Sequence, residues 1–260
     1  MTRRLWLIGF LAGLAAVVLP ATALAADVSH GAIQLLRSAE QDISAGRGKA
    51  ALEKLQQAAD MEPEWYLPPA RLATAYQICG METAALQQHM RVQQISFQRY
   101  DPGSESSSQV RQLLVEAEAY MSLLLNKTRR QAGRMPLYTH PQMAVVGRRH
   151  AVEMCDKNYF SHESPTPSRR TLADRFRLVF PFRPRVLGEN LSRRSRRGEG
   201  YTLSLAKIRN SHEDLLKSSA HRSTILLPEL THLGIGIAVN AKGDYWVSQI
   251  FADMTGHPEY

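Results

Sequence analysis

Three short stretches of the chain carry side chains that could act together on a ligand. Tyr159-Phe160-Ser161-His162-Glu163-Ser164-Pro165 closes an apolar-periodic helix, sets an imidazole just past it and stops regular structure at the proline. Gly188-Glu189-Asn190 supplies a carboxylate, and Ser218-Ser219-Ala220-His221-Arg222 a second imidazole. Each lies beside small residues that let a ligand approach. Two imidazoles with one or two carboxylates suit a divalent metal, zinc above all for mixed nitrogen and oxygen ligands, with an open position for water. There is no H-E-x-x-H, so metalloprotease chemistry of that type has no support. Serine-based hydrolysis would need a serine beside an imidazole and an orienting acid. Ser161 and Ser218 neighbour His162 and His221, yet neither sits in a G-x-S-x-G elbow. One histidine at a helix end is ordinarily structural; three such stretches, with His162 and His221 only 59 residues apart, argue for a site.

The elements that must position these groups are legible in outline. Residues 1–25 read as a secretory signal: Arg3 and Arg4, an apolar run from Leu5 to Leu19, and the small-residue pattern Ala23-Leu24-Ala25. The run is short for the ~20 residues that span a bilayer, and Pro20 interrupts it. Export makes nucleic acid an unsuitable partner. With only Cys79 and Cys155, the mature chain must be held by its core, and the two are expected as separate thiols. Residues 26–100 are helical by pattern and repeat at a spacing of 34: Gly46 with Gly80, Ala39 with Ala73, Ala51 with Ala85. That period resembles tetratricopeptide helix pairs, although an ordinary helical hairpin would serve the same pattern. Two units are too few to stand as a solenoid, so they should lean on the next domain or bind a protein partner. Residues 101–108, Asp-Pro-Gly-Ser-Glu-Ser-Ser-Ser, read as a linker, which leaves 109–260 as a second domain.

In that second part, helices are expected from Val110 to Leu125, from Pro141 to Lys157 and over 203–217. His150 falls on the buried stripe of the second, where a core role is expected, and His140 is expected in a loop or cap. Leu233–Val239 and Tyr245–Phe251 form a hairpin, with Gly234 and Gly236 on one side of their strand, leaving room for neighbouring side chains or a ligand. From Arg169 to Arg197 there are ten arginines against Asp174 and Glu189, a local +8 equal to the formal charge of the whole chain. Arg193, Arg194, Arg196 and Arg197 read as a basic loop. Such a run is either a solvated face or a contact for anionic lipid or envelope polymer.

The ordered set F-S-H, G-E-N, S-x-x-H-R, Leu233-Gly234-Ile235-Gly236 and Tyr245-Trp246-x-x-Gln249-x-Phe251 resembles the bacterial SCP-like branch of the CAP superfamily: cysteine-rich secretory proteins, antigen 5 and pathogenesis-related proteins. The likeness spans roughly Glu116 to Asp253. It implies an α+β chain: an α-β-α sandwich CAP domain behind an all-α tetratricopeptide-like region. It also implies a cleft of two histidines and two glutamates, carried over here as His162, Glu189 and His221. The fourth position is open; Glu213 is nominated, with Asp214 beside it. Leu215 departs from the tryptophan often found there in bacterial members, which puts the cleft wall in question. The resemblance allows lipid binding and favours a non-catalytic binding module. An envelope hydrolase and an assembly factor remain as alternatives.

Overall fold

The computed structural model describes residues 28–101, 107–195 and 203–257. The expected signal segment lies outside these residues, as do most of the expected linker and Arg196 and Arg197. The chain opens with four helices, α1 His30–Ser44, α2 Gly48–Met61, α3 Leu67–Ile78 and α4 Glu82–Ile95, the last running into a π-helical turn, Ser96–Tyr100. Gly46 and Gly80 turn the two hairpins with φ of 72° and 75°, a left-handed conformation that costs glycine little. Ala39, Ala51, Ala73 and Ala85 are all fully buried, so equivalent positions of the 34-residue spacing do equivalent packing work.

Helix α5, Ser108–Gln131, follows, then β1 Tyr138–Thr139, α6 Pro141–Asp156, α7 Leu172–Arg177, β2 Leu187–Arg194, α8 Leu205–Lys217, α9 Ser219–Leu226, β3 His232–Val239 and β4 Tyr245–Ala252. The strands form one sheet in the order β1-β3-β4-β2, parallel only at β1–β3. Sequence reading found the β3–β4 hairpin and missed the other two strands. Two residues of β1 are too few to show alternation, and the polar, arginine-bearing β2 hides it. The expected basic loop is corrected accordingly: Arg193 and Arg194 are strand residues, paired across from Trp246 and Tyr245.

The alternation of strand residues divides the molecule into three layers. Leu233, Ile235, Ile237, Val247 and Phe251 face α5, α8 and α9 in the main apolar cluster. The opposite face meets α6, and there the two glycines of β3 admit backbone where side chains or a ligand were expected. A Cβ on Gly236 would lie 1.9 Å from the Arg148 nitrogen, and one on Gly234 2.2 Å from the Met143 carbonyl carbon. His140 caps α6, its Nδ1 accepting from the Gln142 N–H, and Pro141 occupies the first turn.

The helical region and the sandwich share a core. Ala85 and Phe97 belong to the same apolar cluster as α5 and β3. His89 bonds both Thr139 Oγ1 (2.9 Å) and Gln77 Oε1 (3.1 Å), and Ser96 Oγ donates to the Pro141 carbonyl at 2.7 Å. The buried Arg148 ties three elements together. Its guanidinium bonds Glu118 on α5 and Asp101 at the end of the helical region, under the ring of Phe97. Glu118 Oε1 also accepts from the N–H of Ile237 on β3.

Candidate functional site

The loop that carries His162 is held down by α6. Helix α6 stops through Asn158, whose φ of 48° turns the chain sharply. From the last turns of the helix, Glu153 accepts bonds from Tyr159 OH (3.0 Å), Ser164 Oγ (2.7 Å), Thr166 Oγ1 (2.5 Å) and Lys157 Nζ (2.9 Å). Burial alone would raise its pKa. Those bonds from Lys157, Thr166, Ser164 and Tyr159 outweigh it and hold the carboxyl at about 2. His150 Nε2 donates to the Ser161 carbonyl at 3.0 Å, and burial keeps its pKa low, so the imidazole is a neutral clamp. The expectation of a buried, satisfied histidine holds, and the satisfying group is the site loop itself.

On β2, the three residues Gly188, Glu189 and Asn190 have three separate duties. Gly188 lets α9 lie close: a Cβ there would be 3.3 Å from the Thr224 methyl. Asn190 faces the α9 layer, where its Nδ2 donates to the His221 carbonyl at 3.1 Å and to Gln249 Oε1 at 3.2 Å. Glu189 faces the other layer. Its Oε2 accepts from His162 Nδ1 at 2.9 Å and its Oε1 from Ser248 Oγ at 3.1 Å. Both oxygens lie 3.0 Å from Nη2 of Arg175.

Arg175 is the residue that sequence reading missed. It belongs to α7, whose start is fixed by a capping box between Thr171 and Asp174. Its side chain is 4% exposed. While Nη2 grips Glu189, Nη1 donates to the carbonyls of His162 and Arg170, both at 3.1 Å. One guanidinium therefore joins the His162 loop to the carboxylate that orients its imidazole. Among ten arginines in a basic run, composition gives no reason to single it out. The available signal was the Thr171-x-x-Asp174 box, which fixes where α7 begins.

The electrostatics follow from this arrangement. Burial raises the Glu189 pKa, and the His162 bond together with the Arg175 charge more than reverses it, so Glu189 stays ionised. His162 is shifted upward, chiefly by its bond to Glu189. His221 is shifted downward, chiefly by burial and further by the charge of His162. The His162 side chain remains 59% exposed, and with Nδ1 given to Glu189 its Nε2 has no bonded partner among the described residues.

His162 and Glu189 thus meet at the edge strand, and His221 is tied to the same strand through its backbone carbonyl, which accepts from Asn190. Glu213 does not join them. It is an exposed residue of α8 whose charge acts on Arg209, one turn earlier. Asp214 is engaged with Arg194 and Lys217. Ser218 caps α9 and accepts from the His221 N–H, and Ser161 accepts from the Glu163 N–H, so both serines serve local backbone. Among the described residues no hydroxyl or thiol is bonded to either imidazole. Nor do three His, Cys, Asp or Glu side chains gather so as to hold a metal ion. The donor set does not fit a divalent metal as it stands: Glu189 is engaged on both oxygens, and two imidazole nitrogens fall short of the three protein ligands of an open zinc site.

Of the basic-loop residues within the described structure, Arg193 lies over the Trp246 ring and bonds Asn158, and Arg194 pairs with Asp214.

Comparison with known proteins bears on this architecture. Residues 123–251 match the family model "CAP: Cysteine-rich secretory protein family". The uncharacterized protein YkwD of Bacillus subtilis is 30% identical over 131 residues. That match takes in 48% of this chain and 43% of the relative, so the chain spans less than half of the relative's length. Among solved structures, an extracellular protein containing an SCP domain from Bacillus anthracis is 26% identical with a TM-score of 0.46, over 61% of this chain and 49% of the other. An outer surface protein of Borrelia burgdorferi is 12% identical with a TM-score of 0.43, over 53% of this chain and 92% of the other.

Proposed function

Residues 123–251 are a CAP domain of the cysteine-rich secretory protein family, and from that premise we propose that the chain is an exported, non-catalytic binding protein of the cell envelope. Its cleft takes a small polar ligand between His162 and His221. The observation that carries this reading is the state of His162. Its Nδ1 is committed to a buried carboxylate, the side chain is exposed, and among the described residues neither a partner for Nε2 nor a nucleophile is bonded to it. The ring is held in one orientation, as a recognition group must be. Export rests on the N-terminal sequence pattern, which directs the chain to an oxidising compartment where a domain without disulfide framework depends on its core.

The same histidine–carboxylate pair favours one alternative, hydrolysis with His162 as general base on a bound water, since a carboxylate-oriented imidazole is suited to accept a proton. Titrating the full chain with soluble muropeptides and glycan fragments, while following the imidazole resonances by NMR and the products by mass spectrometry, separates the two. The binding reading expects saturable shifts of His162 and His221 with the fragments recovered intact. Products that disappear on His162→Gln would replace it with the hydrolase. Shifts in neither imidazole with any fragment would leave the cleft without its assigned role.

A further inference from the structure

We propose that Arg175 is the resident cation of the cleft: its guanidinium occupies the carboxylate a divalent ion would need, so that the site is built to work without a metal. Glu189 is the carboxylate bonded to the imidazole of the loop, and Arg175 Nη2 lies 3.0 Å from both its oxygens. The guanidinium is not a surface arm that could swing away. It is 4% exposed, and Nη1 is anchored to the carbonyls of His162 and Arg170 at 3.1 Å. A metal ion on Glu189 would have to share a carboxylate with a fixed positive charge or displace it. Displacement would strip bonds from two backbone carbonyls and leave a guanidinium buried without a counter-charge. The plane and fixed fork of arginine suit this duty, since one group satisfies a carboxylate and carbonyls together where a point charge could not. Left as a hydrogen-bond acceptor for His162, Glu189 orients the ring and is withdrawn from ligation.

The claim predicts that removing Arg175 creates a metal site. The full-length protein is titrated with zinc alone against a chromophoric chelator. The wild-type chain should show no saturable one-to-one uptake. Arg175→Met should take up one zinc at least tenfold more tightly than any uptake by the wild type. The double variant Arg175→Met with Glu189→Gln, which removes both charges of the pair, should lose that gain and so tie the zinc to the freed carboxylate. Wild-type uptake of one zinc per chain that falls on Glu189→Gln overturns the proposal. So does an Arg175→Met protein, folded by circular dichroism, that binds zinc no better than the wild type. If Arg175→Met does not fold, the wild-type titration decides: no one-to-one uptake supports the proposal, and uptake dependent on Glu189 ends it.

Discussion

The sheet meets its neighbours in two opposite ways. Across β3 it touches α6 through missing side chains, with Gly234 and Gly236 admitting helix backbone against strand backbone. At the edge strand β2 it is met by polar groups: Arg175 and His162 converge on Glu189, which also accepts from Ser248 of β4, while Asn190 reaches the other layer. The first contact is steric and unforgiving, because neither backbone can yield. The second is polar, partly open, and assembled from segments that meet only in the fold. Core contact fixes where α6 lies, and α6 in turn fixes the loop that carries His162.

The sharpest way to break this contrast is Gly236→Ala. One methyl group must displace α6, and the loss should exceed about 3 kcal/mol, at the upper end for overpacked cores. Chemical denaturation should find the variant largely unfolded or strongly destabilised, whereas Gly188→Ala, whose methyl would meet the side chains of Thr224 at 3.3 Å and Phe251 at 3.9 Å, should fold. Equal losses at the two glycines would remove the distinction. Next in size is Glu189→Gln, which leaves Arg175 buried without its counter-charge and should cost about 3 kcal/mol by the same measurement.

Acid should release the site loop before the core. The Glu153 carboxyl titrates at about 2 in the folded chain against 4.5 ordinarily. A lowered folded pKa means stabilisation that is complete above the ordinary value and lost as pH falls from 4.5 toward 2. Hydrogen exchange at residues 159–166 should therefore accelerate in that window, and Glu153→Gln should abolish the dependence while exchange on β3 stays slow. The smallest effect is expected at the basic strand end. Arg193→Gln with Arg194→Gln should weaken binding to anionic vesicles modestly, because Arg194 already spends charge on Asp214. A large loss would make that end of β2 a principal contact surface.

What the sequence made legible follows this same division. The order of the histidine, glutamate and histidine motifs was readable because each motif is local, and small residues beside them marked close approach. The glycine pair on β3 was readable as a place needing room; that a helix backbone fills it depends on the fold. Arg175 was hidden because its role lies in a partner 14 residues away, on a strand whose polar composition masked its alternation. Glu213 was nominated from its place in the chain, and only the fold shows it as an exposed residue of α8 whose charge acts on Arg209. The helical region's repeat was visible in its glycines. Its fusion to the sandwich runs through single buried polar groups, such as His89 and Gln77, that no periodicity announces.

The central claim is that Glu189, fixed by Arg175, holds His162 as the working imidazole of the cleft. Titration of the His162 ring by NMR tests it directly, in the wild type and in Glu189→Gln. The account predicts a wild-type pKa above the ordinary 6.5, falling toward or below that value once the carboxylate is gone. Because the folded value is raised, the stabilisation from this pair should be full below 6.5 and fade as pH rises through the wild-type pKa. A His162 that titrates at or below 6.5 in the wild type, and is indifferent to Glu189→Gln, would contradict the account.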